Sequence, residues 1–306
     1  MSQATDSPAA VFGAEAAERA LAVACELAGL DRAGASLMRL GENALYHLPG
    51  PSVVVRIARS ADYGADAAKE VDVARWLAAG GFPAARLWDE AAQPVLADGH
   101  PVTFWQYIEG RNGGRGDIAH LAALLRDLHA LPRPAAFSLP PDDILGRVGR
   151  RISRAAVPAR DKDFLSARLT DLQERLLGLR FPLAPGPVHG DAHVQNLMIR
   201  VGQPVLIDFE RAGWGQPEWD LAMTATEYQT AGWWSAPEYA LFCKTYGFDV
   251  TTWAEGWPVL QAVHAIKMTT WLMQNVAASA DIAAEYAKRM RTLRGEGSQP
   301  ETWRPF

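Results

Sequence analysis

The chain has 306 residues, a formal net charge of −5, and 49% hydrophobic against 21% charged residues. These values are ordinary for globular proteins and exclude a disordered, collagen-like or coiled-coil chain as a whole. The acidic balance provides no global basic field, so we expect no nucleic-acid partner.

The two cysteines, Cys25 and Cys243, lie far apart and form no CxxC motif, so neither a disulfide framework nor a cysteine metal site is predicted. No apolar run approaches the ~18 residues that span a bilayer. Residues 1–10 lack the basic and apolar regions of a signal peptide and are expected to fray. We therefore expect a cytoplasmic protein without a membrane partner.

The first third of the chain predicts a mixture of helices and hairpins. Apolar residues at helical spacing predict helices over residues 14–29 and 65–79. The β-like runs 37–48 and 52–58 flank a Pro-Gly-Pro turn and predict a hairpin. Strands are predicted over 94–97 and 102–108, joined by an Asp-Gly turn.

A change of composition at residues 110–117, which read GRNGGRGD, predicts a linker. An apolar stripe over residues 118–128 then begins a mostly helical region. The sequence therefore predicts a small α+β lobe over residues 1–109 and a larger helical lobe over 110–306.

The most informative stretch reads VHGDAHVQN at residues 188–196 and is followed by VLIDFE at residues 205–210. Asp191 is placed to accept a hydroxyl proton, five residues before Asn196. The amide oxygen of Asn196 and the carboxylate of Asp208 are hard donors of the kind Mg²⁺ prefers. This spacing is typical of kinase-type phosphoryl transfer.

These residues resemble the aminoglycoside phosphotransferase and choline kinase-like family of small-molecule kinases. The resemblance implies an α+β, two-lobed protein-kinase-like fold, with a small β-rich N-lobe over 1–109 that binds nucleotide and a larger, mostly helical C-lobe over 110–306 that carries the catalytic loop and binds the acceptor. It also implies that Asp191 is the catalytic base or orients the nucleophile, and that Asn196 and Asp208 bind Mg²⁺. The later Trp219-Asp220-Leu221-Ala222 matches a family element that supports the catalytic loop.

Two other interpretations of the stretch remain open. One is a polar loop that caps a helix. The other is a zinc site for hydrolysis, since His189, Asp191 and His193 alternate along the chain. In the family interpretation, the two histidines brace the loop.

The small lobe offers an independent signal. Arg56 shares a strand face with apolar residues, and Glu70 lies on the apolar stripe of the following helix. Buried charges need partners, and kinases use such a pair to position the nucleotide phosphates. We therefore predict an Arg56–Glu70 ion pair, with arginine at the place of the usual lysine; an ordinary surface strand and helix is the alternative.

Further nucleotide contacts are predicted at two places. Gly41, Glu42 and Asn43 stand where a kinase loop covers the phosphates, although a simple turn is also compatible. By resemblance, residues 106–108 form the hinge that contacts the purine. The hinge candidates are Gln106, Tyr107 and Ile108, and they leave ATP or GTP open. No Walker motif occurs in the sequence.

Acceptor candidates come from the tryptophan-rich second half. Trp233 and Trp234 are adjacent in a turn, so one ring can line a pocket and stack on the acceptor. Glu210 is a further acceptor candidate. The basic segment between Arg147 and Arg160 is expected to form a solvated helix face, with attraction of an anionic substrate as the alternative.

Together these signals predict an ATP-dependent phosphotransferase acting on a hydroxyl of a small molecule, as a monomer or homodimer. By resemblance the leading acceptor is an antibiotic, either an aminoglycoside or a nucleoside-type compound, and phosphorylation would give resistance. A metabolic kinase for choline- or homoserine-like compounds and a pseudokinase without turnover are the alternatives.

Overall fold

The computed structural model describes residues 12–41, 43–277, 279–296 and 301–306. The expectation for residues 1–10 and the candidate Glu42 therefore lie outside the described residues. Within these ranges, no helix combines the length and apolar character needed to cross a bilayer.

The chain forms two compact units. The first consists of the residues up to Gly110 together with Val205–Glu210, and the second of Arg111–Pro204 together with Arg211–Phe306. The sequence division placed residues 205–210 in the second lobe, whereas their contacts place them in the first unit.

The first unit is built on an antiparallel sheet of order β1-β2-β3-β5-β4. Its strands are β1 (Ser36–Leu40), β2 (Asn43–Leu48), β3 (Val53–Ala58), β4 (Val95–Ala97) and β5 (His100–Gln106). Both predicted hairpins are confirmed, since β2 pairs with β3 and β4 pairs with β5. Asp98 and Gly99 have φ of 48° and 80°, which suits the tight turn between β4 and β5.

The two predicted helices are present: one precedes the sheet in the sequence, and the other lies between β3 and β4. Helix α1 (Ala14–Ala28) ends at Gly29, which adopts the left-handed conformation and caps the last turn. Its buried alanines and Leu21 share one core with Val55 and Phe104 of the sheet. Helix α2 (Gly64–Ala79) buries Glu70 along with its apolar face.

Residues 205–210 are attached to the first unit by backbone hydrogen bonds. Leu206 forms a parallel bridge with Ala84. The N–H of Ala85 donates to the carbonyl of Leu206 at 2.9 Å, and the N–H of Leu206 donates to the carbonyl of Pro83 at 2.9 Å. These bonds fix the backbone just before Asp208.

The second unit is mainly helical. Its helices are α3 (Ile118–His129), α4 (Val148–Arg154), α5 (Ala159–Leu177), α6 (Glu218–Gln229), α7 (Ala236–Tyr246), α8 (Trp257–Leu272) and α9 (Ala280–Arg294). The remaining short strands are β6 (Arg111–Asn112), β7 (Gly186–Val188), β8 (Leu197–Arg200), β9 (Gln203–Leu206) and β10 (Gly213–Gly215). The predicted linker thus contains strand β6.

Two small sheets surround the candidate motif. Strand β7 pairs antiparallel with β10 and leads directly into His189. Strand β8 lies between β6 and β9. The turn between β8 and β9 is formed by Val201 and Gly202, both with positive φ, as expected of a tight hairpin turn.

Candidate active site

In the first unit, Arg56 of β3 is the centre of an ion cluster. Its Nη1 donates to Oε1 of Glu70 at 2.7 Å, so the predicted ion pair is formed. Its Nη2 donates to Oε2 of Glu210 at 2.6 Å and to Oδ1 of Asp208 at 3.3 Å. A single forked guanidinium thus holds three carboxylates.

Charge in this cluster is strongly coupled. Burial, together with the negative charges of Asp208 and Glu210, raises the pKa of Glu70 to about 7 against the opposing charge of Arg56. Burial alone would lower the pKa of Arg56, but the three carboxylates raise it above its ordinary value. Arg56 therefore remains a cation, and Glu70 is the member that can gain a proton near neutral pH.

Glu210 is not placed as the sequence suggested. Its side chain is buried and bound to Arg56, and the Nζ of Lys69 donates to its backbone carbonyl at 2.6 Å. Its carboxylate therefore serves the arginine cluster, and we withdraw it as an acceptor-binding candidate.

The β1–β2 turn contains Gly41 and leads into Asn43. The N–H of Gly41 donates to the carbonyl of Asn43 at 3.0 Å, so it is already engaged. With its amide oxygen turned towards Arg56, Asn43 accepts from Nε at 3.2 Å and from Nη2 at 2.9 Å. Asn43 thus belongs to the arginine cluster, and the role of this turn towards phosphate stays a prediction.

The predicted hinge begins where β5 ends. The backbone N–H of Gln106 donates to the carbonyl of Arg86, and the backbone N–H of Tyr107 donates to the carbonyl of Ser52, both at 2.9 Å. Among the described residues, the N–H of Ile108 has no backbone partner. Of the three hinge candidates, Ile108 therefore has the backbone donor that a ligand can use.

In the second unit, the loop after β7 carries the predicted catalytic residue. Gly190 has a φ of 79°, and a Cβ at this position would lie 2.3 Å from the carbonyl oxygen of Arg211. Only glycine fits this close approach and backbone conformation. It turns the chain so that Asp191 follows directly.

Asp191 is ionised by its surroundings. Partial burial alone would raise its pKa, but His193, Lys267 and His189 lower the pKa of Asp191 well below its ordinary value. The Nε2 of His193 lies 3.6 Å from Oδ2 of Asp191. Nδ2 of Asn196 donates to the backbone carbonyl of Asp191 at 2.8 Å, which leaves the amide oxygen for another ligand.

The carboxylate of Asp220 fixes this loop. Its Oδ2 accepts from the N–H of His189 at 2.7 Å, and its Oδ1 accepts from the N–H of Gly190 at 2.8 Å. His129 lies 3.0 Å from Oδ2, and its other ring nitrogen lies 2.9 Å from the hydroxyl of Tyr246. The supporting element implied by the resemblance is thus a carboxylate that holds the backbone beside Asp191.

The tryptophan pair is more enclosed than the sequence suggested. Trp234 is buried, and its indole N–H donates to Glu227. Trp233 is half-buried, and its indole N–H donates to the backbone carbonyl of Trp303 at 2.6 Å. Stacking on an acceptor stays a prediction for Trp233, whereas the buried ring of Trp234 serves to hold Glu227.

The basic segment lies mainly on helix α4. Val148 and Ile152 are buried, and Arg150 and Arg154 are exposed. Arg147 and Arg151 are half-buried. The expected solvated face is therefore present on this helix.

The donors predicted for Mg²⁺ fit its chemistry. Asp208 has a φ of 65° and keeps 41% of its side chain exposed while contacting Arg56. Its carboxylate and the amide oxygen of Asn196 are hard oxygen donors. No group of three or more His, Cys, Asp or Glu in the described ranges is arranged to hold a metal. The zinc alternative at His189, Asp191 and His193 therefore has no support.

The sequence profile described as the phosphotransferase enzyme family matches residues 15–263. This match covers most of the chain and includes Arg56, Asp191 and Asp208. The chain belongs to this phosphotransferase family. No curated protein sequence matches the phosphotransferase significantly.

Solved structures share its fold, and we name three of them. An amicoumacin kinase in complex with AMP-PNP, Ca²⁺ and Ami has 18% identity and a TM-score of 0.68, covering 89% of this phosphotransferase and 90% of that chain. APH(2″)-IIia in complex with GDP and kanamycin has 15% identity and a TM-score of 0.63, covering 90% and 98%. Choline kinase LicA from Streptococcus pneumoniae has 17% identity and a TM-score of 0.61, covering 85% and 93%.

These similarities confirm the predicted α+β, protein-kinase-like fold. The sequence analysis did not predict that Asp142, Glu227 and Lys267 belong to the charged surroundings of the catalytic loop. No short motif marks them, because their partners are brought together only by packing of the second unit: Glu227 and Lys267 interact with Asp191, and Asp142 interacts with Lys267.

Proposed function

We propose that this phosphotransferase transfers the γ-phosphoryl group of ATP to a hydroxyl of a small molecule. The observation that carries the proposal is Asp191, an ionised carboxylate on a loop fixed by Asp220. It stands five residues before Asn196, the spacing of kinase-type phosphoryl transfer.

In the proposed reaction, Asp191 accepts a hydrogen bond from the acceptor hydroxyl and orients its oxygen towards the γ-phosphorus. The new O–P bond forms as the bond between the γ-phosphorus and its bridging oxygen breaks. The hydroxyl proton passes to the carboxylate of Asp191, and ADP leaves with the bridging oxygen.

Other residues would hold the nucleotide. Arg56, fixed by Glu70 and Glu210, would contact the α- and β-phosphates, and the N–H of Ile108 would donate to the purine. Asn196 and Asp208 would bind Mg²⁺, which neutralises charge on the phosphates. GTP is a possible alternative to ATP, since GDP accompanies the similar kanamycin complex.

An antibiotic is the leading acceptor class. The similarity to an amicoumacin kinase and to a kanamycin-bound phosphotransferase supports it. Amino alcohols form the second class, supported by the similarity to choline kinase LicA. For an antibiotic acceptor, expression in a sensitive host should raise the inhibitory concentration of that compound.

The test is ADP release with Mg²⁺ and ATP across aminoglycosides, nucleoside and peptide antibiotics, and amino alcohols. Asp191→Asn and Asp208→Ala should each abolish transfer while circular dichroism stays unchanged. Asp127→Asn, an exposed acid on α3, is the control and should keep full activity. Full activity in either site variant would contradict the assignment, and nucleotide binding without any ADP release would favour a pseudokinase.

A further inference from the structure

A group of polar atoms without partners lies in the second unit near Asp191. Oδ2 of Asp142 is buried and has no hydrogen-bond partner, and the same holds for Nδ1 of His264 on α8. In the part of the chain that the structure describes, no hydrogen bond or ion pair holds the ammonium of Lys267, one turn further along α8. Each buried unpaired group costs about 1–3 kcal/mol, so a partner is expected.

The position of Asp142 is built into the fold. Its N–H donates to the carbonyl of Trp214 at 3.0 Å, and the N–H of Trp214 donates to the carbonyl of Pro140 at 2.8 Å. A Cβ at Gly215 would lie 2.7 Å from Cβ of Asp142, and a Cβ at Gly213 would lie 3.2 Å from its Cα. The two glycines of β10 therefore allow the loop that carries Asp142 to pack directly against the backbone of this strand.

Lys267 is coupled to two carboxylates. Burial lowers the pKa of Lys267, and Asp191 and Asp142 are the largest influences opposing this shift. Conversely, burial raises the pKa of Asp142 to about 6, and Lys267 is the strongest influence in the other direction. The charge of the ammonium thus acts on Asp191 and Asp142, although no hydrogen bond or ion pair joins it to either carboxylate in the described part of the chain.

His264 contributes a hydrogen-bond acceptor to the same surroundings. Its Nε2 lies 2.9 Å from the carbonyl oxygen of Trp219. Because a carbonyl only accepts, Nε2 carries the hydrogen and Nδ1 is left as an acceptor. The group therefore offers two acceptors, on Asp142 and His264, and one cationic donor on Lys267.

We propose that Asp142 and Lys267 bind a second, uncharged hydroxyl of the acceptor, beside the hydroxyl that Asp191 orients. A hydroxyl matches the pair because it can donate to Oδ2 of Asp142 and accept from Nζ of Lys267. A protonated amine satisfies Asp142 but is repelled by Lys267 and by Arg211, which also interacts with both side chains.

This inference rests on the proposed kinase function and narrows its acceptor. It selects polyhydroxy compounds that are uncharged at the reacting end over polycations such as aminoglycosides. The sequence composition agrees, because residues 220–306 contain nine acids and seven bases, which is close to neutral.

The test compares acceptors that differ by one hydroxyl. ADP release is measured with uridine against 2′-deoxyuridine, with myo-inositol against a monodeoxy-inositol, and with kanamycin as the polycation. For the wild type, we expect kcat/KM about tenfold to a hundredfold higher for at least one diol than for its deoxy partner, because a site built for a hydroxyl rejects the analogue that lacks it.

Asp142→Asn and Lys267→Met should each reduce this ratio to about twofold or less. The ratio of the kcat/KM values for the diol and its deoxy partner is used rather than the rate itself. Lys267→Met also removes a positive charge that acts on Asp191, and this would change the rate with both acceptors. Asp127→Asn and Lys244→Met, at exposed positions, are the matched controls and should keep both the diol/deoxy ratio and the rate. The preferred diol should also raise the melting temperature of the wild type more than that of Asp142→Asn.

Four results would overturn the inference. The first is that no diol is preferred over its deoxy partner, and the second is that the preference survives both substitutions. Transfer to kanamycin or choline with undiminished rates in both variants would overturn it and leave the proposed kinase function in place. Absence of ADP release with every acceptor and with water would overturn both.

Discussion

The indole N–H of Trp234 donates a hydrogen bond to Oε2 of Glu227 at 2.7 Å. Both side chains are buried, and burial raises the pKa of Glu227 to about 7. The negative charge of Asp191 adds to this rise, so Glu227 belongs to the surroundings of the candidate base. The indole of Trp234 is thus hydrogen-bonded to a carboxyl group, that of Glu227, which gains and loses a proton near neutral pH.

Replacing Glu227 by glutamine should flatten the dependence of stability on pH. The folded pKa of about 7 lies above the unfolded value of 4.5, so the folded chain binds more protons between these values. The free energy of unfolding therefore falls as pH rises through this window, by about 3 kcal/mol for this group. Glu227→Gln should remove that decrease.

Urea unfolding of the wild type and Glu227→Gln from pH 4.5 to 8 measures the effect. Other acids titrate in both proteins, so the difference between the two curves isolates Glu227. Parallel curves over the whole range would show that Glu227 keeps an ordinary pKa.

Gly190→Ala should disrupt the loop that carries Asp191. The positive φ costs about 1–2 kcal/mol for a residue with a Cβ, and this Cβ would lie 2.3 Å from the carbonyl oxygen of Arg211. We expect kcat to fall at least tenfold. Gly202→Ala is the matched control, because its φ of 77° is similar and nothing lies within 4 Å.

The Gly202→Ala control should lose about 1 kcal/mol of unfolding free energy and keep its kcat. Equal kcat values for the two alanine variants would show that the close approach at Gly190 is unimportant for the loop.

Asp220→Asn should also loosen the loop that carries Asp191, by removing a carboxylate that accepts two of its backbone N–H groups. The carboxylate accepts from the N–H groups of His189 and Gly190, and an amide nitrogen would face these donors. We expect a loss of about 1–3 kcal/mol in unfolding free energy, with kcat falling more than the KM for ATP changes. Tyr246→Phe removes only the far end of the His129 interaction and should have a milder effect.

Arg56→Met should destabilise the first unit most strongly at high pH. It leaves Glu70 and Glu210 buried without their cation, which typically costs about 3–5 kcal/mol. At pH 5 the loss should be smaller, since the pKa of Glu70 is about 7 and the group is then protonated. Denaturation at pH 5 and 8 tests this.

Arg59→Met is the control for the arginine substitution, because within the described ranges the guanidinium of Arg59 donates hydrogen bonds only to the hydroxyl of Tyr63. A pH-independent loss in Arg56→Met would contradict the coupling between Arg56 and Glu70. The KM for ATP should rise in Arg56→Met alone.

Local sequence was sufficient for most of the fold. Apolar spacing with a terminal glycine predicted α1, and the Asp-Gly pair predicted the turn at residues 98–99, because both signals act within a few residues. The Arg56–Glu70 pair also followed from local faces of one strand and the next helix.

Long-range placement was not predictable in the same way. Glu210 reaches Arg56 across 154 positions of the chain, and the sequence near Glu210 contains no signal for that partner. Asp142 and Lys267 likewise come from separate elements, and their coupling depends on how the second unit packs. The burial of Trp234 could not be predicted either, because adjacency in a turn does not reveal that the carboxylate of Glu227 accepts its indole N–H.

The membership of residues 205–210 in the first unit has a consequence for synthesis on the ribosome. A nascent chain that has emerged only to Gly110 lacks Leu206, which bridges Ala84, and lacks two of the carboxylates that Arg56 holds. The first unit therefore cannot complete its structure until Glu210 has left the exit tunnel, about a hundred residues later. Completion of the first unit should therefore be delayed until more than two thirds of the chain has been synthesised.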